Sequence, residues 1–188
     1  MFRIKFVLIS VILISVCLLF PLVGLANEAP LVVETEAQLR EALAQLNEQG
    51  GSLTVQLAED ISVTNGGLSL SKGTLTLLGE NHTLTLSSTF LITGEAVLHL
   101  GAKEYTPTLT LTSNSNTAAI FDLTGNAVLN MYAGVTMKDS RAGAMAGGVQ
   151  AHGTSTFNMY GGTIENCHNW ASVSGAVYVD ENALFCMF

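Results

Sequence analysis

The chain has 188 residues, of which 48% are apolar and only 12% charged, with 18 glycines and a formal net charge of −8. An acidic chain lacks the basic patch that nucleic-acid binding needs, so no nucleic-acid partner is expected. So much apolar sequence with so few charges excludes a disordered chain, and the length suits one domain.

At the N-terminus, Arg3 and Lys5 precede an almost unbroken apolar run over residues 6–20. Pro21 breaks the run, and Gly24 and Ala26 place small residues where a signal peptidase needs them. Residues 1–26 therefore read as a secretory signal peptide cleaved after Ala26, and the protein is expected to be secreted or on the extracellular cell surface. The run is short for a membrane span, so no stable span is expected after cleavage. Cys17 is preceded by Val16 and followed by apolar residues, which does not suit a lipid anchor. Cys167 and Cys186 are then the remaining cysteines. Two cysteines make no disulfide framework, and these fall at different points of the repeat described below, so free thiols are expected.

Residues 27–51 hold an N-terminal segment and one helix. Thr35 and Gln38 form a capping-box pattern, and Leu39, Leu43 and Leu46 recur on one face beside Ala42. Gly50 and Gly51 end the helix, which is expected over residues 36–49.

From Ser52 the apolar period becomes two. Leu53, Val55 and Leu57 alternate with polar residues, and the pattern returns at residues 75–77, 83–86 and 108–111, with glycines between the runs. The runs are copies of one unit. Residues 90–100 match residues 121–131, and residues 129–134 recur at 157–162 and again at 185–188. The match slips by one after the glycines, where Thr136-Met137 aligns with Thr163-Ile164. Three short strands per unit predict an all-β fold, a right-handed parallel β-helix of about five turns over residues 52–188, the last incomplete, with the helix as its N-terminal cap. Inward side chains would form columns: Leu75, Leu98, Leu129, Phe157 and Phe185 in one, Leu77, Leu100, Met131, Met159 and Met187 in the next. A Greek-key sandwich is the alternative, but it predicts no such register.

The run Gly73-Thr74-Leu75-Thr76-Leu77-Leu78-Gly79-Glu80-Asn81-His82-Thr83-Leu84-Thr85-Leu86 resembles the early turns of pectin-lyase-like parallel β-helix proteins of bacterial surfaces. Met159-Tyr160-Gly161-Gly162-Thr163-Ile164-Glu165-Asn166 and residues 174–179 carry the same resemblance, which covers nearly all of the chain after the leader. It implies a signal peptide, a capping helix and strand-rich turns, usually within large adhesin-like chains. The same coil carries lyases, hydrolases and adhesive stalks, so the fold leaves function open.

The resemblance to pectate lyases directs attention to carboxylates that would bind calcium beside an arginine: Asp122, Asp139, Asp180 and Arg141. Asp122 is repeated as Gln150 and Tyr178, so no column of acids forms. Asp139 and Arg141 read as a solvated pair in a turn. His152-Gly153 only partly matches the hydrolase motif, and the paired aspartates are missing, so no catalytic residue is assigned. His152, Cys167, His168 and Cys186 match no common zinc spacing, His82 and His99 read as outward residues, and neither metal nor cofactor is expected. Asn81-His82-Thr83 is a glycosylation sequon, of consequence only in a eukaryotic secretory pathway.

One outward column would contain His99, Asn130, Asn158 and Cys186, and a second aligned set Tyr132, Tyr160 and Phe188. Tyr132, Tyr160, Asn130 and Asn158 form the candidate outer-face binding strip, with Asn130 and Asn158 expected to face solvent. The function expected is that of an adhesin-like display domain without catalytic activity, contacting glycans or host or cell-surface proteins. The alternatives are a fragment of a polysaccharide lyase or glycoside hydrolase, and a structural stalk. Because residues 185–188 repeat the middle strand of a unit, without the glycine turn and third strand that should follow, a larger chain truncated at this point is expected, the other reading being a last strand that docks on a partner.

Overall fold

The computed structural model describes residues 29–143, 145–170 and 175–188, so the leader and the cleavage site at Ala26 lie outside the described residues. Strand β1 (Leu31–Val33) precedes helix α1 (Glu36–Gln49). Three-strand turns follow: β2 (Ser52–Leu57), β3 (Ile61–Val63) and β4 (Leu68–Leu70), then β5 (Thr74–Leu78), β6 (His82–Leu86) and β7 (Phe90–Ile92). The third turn is β8 (Val97–Leu100), β9 (Leu109–Ser113) and β10 (Phe121–Leu123). The fourth contains β11 (Val128–Met131), β12 (Val135–Lys138), a short β13 (Arg141–Ala142) and β14 (Val149–Ala151). The fifth contains β15 (Thr156–Met159), β16 (Thr163–Glu165), β17 (His168–Asn169) and β18 (Val177–Val179), and β19 (Leu184–Met187) begins another.

Every pairing between these strands is parallel and joins one turn to the next. The first sheet has seven strands in the order β1-β2-β5-β8-β11-β15-β19, and two five-stranded sheets complete the coil. Seven strands in line make a parallel solenoid of about six turns. The expectation of five started its columns at Leu75 and Leu77 and so omitted the β2 level of Leu53 and Val55; beyond it β1 pairs Leu31 with Val55, although the helix separates it from the repeats.

Both predicted columns form. Leu53, Leu75, Leu98, Leu129, Phe157 and Phe185 are in register, as are Val55, Leu77, Leu100, Met131, Met159 and Met187. The third sheet adds Leu68, Phe90, Phe121, Val149 and Val177, with the Phe90 and Phe121 rings 5.7 Å apart. Leu75, Leu98, Leu129 and Phe157 are fully buried, each such side chain contributing about 1.5–3 kcal/mol. Stability is therefore summed turn by turn from neighbour contacts. Gly79 permits the tight stacking, because a Cβ there would lie 2.2 Å from the Thr108 carbonyl oxygen. The one-residue slip is also present, Thr136 pairing with Thr163. Gly162, directly before Thr163, has φ 90°, and a Cβ there would lie 2.5 Å from the Val135 carbonyl oxygen.

Helix α1 has the predicted bounds and capping box: the Gln38 N–H donates to Thr35 Oγ1 (3.3 Å), and the Thr35 N–H donates to Gln38 Oε1 (3.1 Å). Leu39, Ala42, Leu43 and Leu46 are buried in the solenoid core. Among the described residues, no helix is long and apolar enough to cross a membrane.

Candidate functional site

The outward positions of the first sheet bring Thr54, Thr76, His99, Asn130, Asn158 and Cys186 into one line. Asn158 Nδ2 donates to Asn130 Oδ1 (2.9 Å), and Asn130 Nδ2 lies 3.3 Å from His99 Nδ1. An amide nitrogen only donates, so His99 Nδ1 accepts and its proton sits on Nε2. Burial also holds the His99 pKa below its usual value, which keeps the imidazole neutral. Asn130 does not face solvent as expected. It is only 7% exposed, because the side chains stacked on either side of it close over it.

Beside this line the rings of His99, Tyr132, Tyr160 and Phe188 follow one another at centroid separations of 6.0, 5.3 and 4.8 Å. Burial, with a smaller effect from Tyr160, pushes the Tyr132 hydroxyl pKa up. Of the four strip residues, Tyr160 is exposed, Tyr132 and Asn158 are half-buried, and Asn130 is buried. The Asn groups thus bond along the stack, and Tyr160 offers the accessible surface.

A second cluster lies on the third sheet. His152 directly follows β14, and Asp180 follows β18 at the same place one turn later. His152 Nδ1 is 2.9 Å from Asp180 Oδ2, and Nε2 is 3.7 Å from Asp122 Oδ1 on β10. The Tyr178 ring leans on the imidazole at 5.9 Å. Asp122 Oδ1 and Asp180 Oδ1 are buried without a hydrogen-bond partner. Burial raises the Asp122 pKa, the charge of His152 opposes the rise, and that of Asp180 adds to it. Sequence reasoning placed these three residues separately. Asp122 is indeed in register with Gln150 and Tyr178, and it meets His152 diagonally across the turn. The one sequence signal was that His152 and Asp180 occupy equivalent repeat positions.

A third site arises where the connections lengthen. Between second- and third-sheet strands they span 64–67 and 87–89 in the first two turns, but 114–120, 139–148 and 166–176 in the next three. These longer corners enclose a cleft of about 450 Å³. Ser113, Asn114, Ser115, Asn116, Asp139, Arg141, Asn166 and His168 line it. Asp139 and Asn166 both take left-handed backbone (φ 55° and 52°), and Asn166 Nδ2 donates to Asp139 Oδ1 (3.2 Å). Arg141 pairs with His168 in the β13·β17 ladder. Asp139 and Arg141 thus share a concave wall, and neither forms an ion pair among the described residues.

The remaining metal-type residues are dispersed. His152 belongs to the third-sheet cluster, Cys167 and His168 lie at the cleft corner, and Cys186 lies on β19. Both cysteines are free, and burial raises the Cys167 thiol pKa. Among the described residues, no group of three or more His, Cys, Asp or Glu is arranged to hold a metal ion.

Comparison with known proteins finds no matching family model, no matching curated protein and no matching solved structure.

Proposed function

We propose that this chain is a secreted or cell-surface, adhesin-like display domain without catalytic activity, which contacts glycans or surface proteins of a host or neighbouring cell. The observation that carries this reading is the ladder of rings from His99 through Tyr132 and Tyr160 to Phe188, set at 4.8–6.0 Å spacings on consecutive turns. Groups fixed in this way by the strand register lose little freedom on binding. Repeated along a rigid face, they suit shallow, multivalent contact. In the same reading the coil is right-handed and α1 covers its first turn. Asn47 supports the covering role: its amide donates to the Ser69 carbonyl (3.0 Å) and its oxygen accepts from the Ser71 N–H (2.7 Å), as a neighbouring strand would.

The test is a glycan array and a cell-binding assay with the chain lacking residues 1–26. Binding is expected, and Tyr160→Ala should weaken it. Silence in both assays would leave the structural stalk.

A second reading, a polysaccharide lyase or glycoside hydrolase, is favoured by one observation: the His152 imidazole between Asp122 and Asp180. An imidazole held by two carboxylates, one with a raised pKa, is equipped for proton transfer. Incubation with polygalacturonate and calcium is expected to release no unsaturated product. Release that is abolished by His152→Ala would establish the enzyme reading instead.

A further inference from the structure

The outer face of a solenoid offers little concave surface, since its side chains stand in flat ladders. The cleft between the third and fifth turns departs from this, and every residue that lines it carries a polar side chain. Its volume of about 450 Å³ lies within the ~300–1,000 Å³ typical of small-molecule sites.

At its rim stands Trp170, the single tryptophan of the chain, 67% exposed. A large apolar ring left in water is informative when something fixes it there. Here the indole Nε1–H donates to the Asn116 carbonyl oxygen (3.0 Å), and the Trp170 N–H donates to the Ala142 carbonyl oxygen (3.2 Å). The indole also lies against Gly143, where a Cβ would sit 3.3 Å from Cζ2. The exposed ring is therefore held in place against Asn116, one of the residues that line the cleft.

The polar groups narrow the class of ligand. Arg141 supplies donors and Asp139 acceptors, so the wall carries one charge of each sign. His168 Nδ1 lies 3.3 Å from the Asn166 carbonyl, which only accepts, so Nδ1 donates there and Nε2 is left to face a ligand. Amides of Asn114 and Asn116 add donors and acceptors together. Such a mixture matches vicinal hydroxyls, which donate and accept at once. The balanced wall and the net charge of −8 disfavour polyanions.

We propose that this cleft binds a neutral oligosaccharide, whose hydroxyls meet Asp139, Arg141 and His168 while an apolar sugar face stacks on Trp170. This rests on the glycan-contact reading above and adds to the Tyr160 strip a second contact at the corner. Because Trp170 is the only tryptophan, its emission reports on this site alone.

The experiment titrates the chain lacking residues 1–26 with cellobiose, lactose, mannobiose and N,N′-diacetylchitobiose, reading tryptophan emission. A saturable change with at least one sugar is expected. Arg141→Ala, a change at an exposed side chain, should weaken it about tenfold, the scale of losing one anchoring contact. Glu95→Ala, at an exposed residue that does not line the cleft, should leave it unchanged. No saturable change with any of the four sugars, or a response indifferent to Arg141→Ala, would overturn the proposal. A protein that binds the glycan array while Trp170 emission stays constant would overturn the cleft and leave the display-domain reading standing. A protein silent in both overturns both.

Discussion

Leu129 and Asn130 are adjacent in β11, point to opposite faces, and are both buried. Leu129 is closed in by the apolar columns, whereas Asn130 is closed in by His99 and Asn158, with which it bonds. The same accessibility therefore conceals different chemistry. Leu129→Asp places an unpaired charge among hydrocarbon, at a cost of several kcal/mol, and is expected to abolish cooperative folding. Asn130→Asp keeps the oxygen that accepts from Asn158 but loses the N–H that donates to His99, and should still fold, with a loss of about 1–3 kcal/mol. Urea denaturation checks this, and equal midpoints for the two variants would contradict the register.

At the scale of the element, α1 is attached to the first turn by a polar clamp as well as by its leucines. The Glu36 carboxylate accepts from Arg40 Nε (2.8 Å), the Thr64 N–H and hydroxyl (3.0 Å each) and the Asn65 N–H (3.2 Å). Arg40 in turn donates to the carbonyls of Asn65 and Gly67. The Thr64 N–H above all, then Arg40, lower the Glu36 pKa from 4.5 to about 2. A group depressed in the folded state adds stability that is complete above its unfolded pKa and is lost as pH falls through the folded one. The attachment should therefore weaken as pH drops from 4.5 towards 2. Hydrogen-exchange protection of the Thr64 and Asn65 amides should decline over that interval, while in Glu36→Gln it should already be low at neutral pH and nearly flat. An unaltered decline in Glu36→Gln would assign the effect to other carboxyls.

Across the whole molecule, burial is uneven along the coil. The middle turns are sealed, whereas Met159, Ile164, Val177 and Phe185 are only partly covered. Leu184, Met187 and Phe188 are 56%, 70% and 76% exposed. Apolar side chains beside a strand edge favour pairing with another chain. The chain is expected to self-associate as its concentration rises, and Met187→Lys with Phe188→Lys should reduce this by placing charge on the edge. Light scattering distinguishes the outcomes: a wild-type chain that stays monomeric throughout would show that the β19 edge is not adhesive.

The sequence by itself determined the repeat, the strand faces, the inward columns and the bounds of α1. Each of these depends on local periodicity: alternation assigns a face, and recurrence of the same residues assigns a register. Strand β1 escaped because Leu31–Val33 lies outside the repeat and is separated by α1 from β2, the strand it pairs with. The tertiary structure alone decided that Asn130 is covered, since outward alternation does not reveal how tightly the adjacent turns close over a side chain. It also brought His152 between Asp122 and Asp180, a contact that crosses turns diagonally and leaves no trace in aligned copies. The cleft and its fixed Trp170 belong to the same class. They arise where residues 113–116, 139–141 and 166–170 of successive corners come together, and irregular corners meet according to how turns stack, which no periodic pattern encodes.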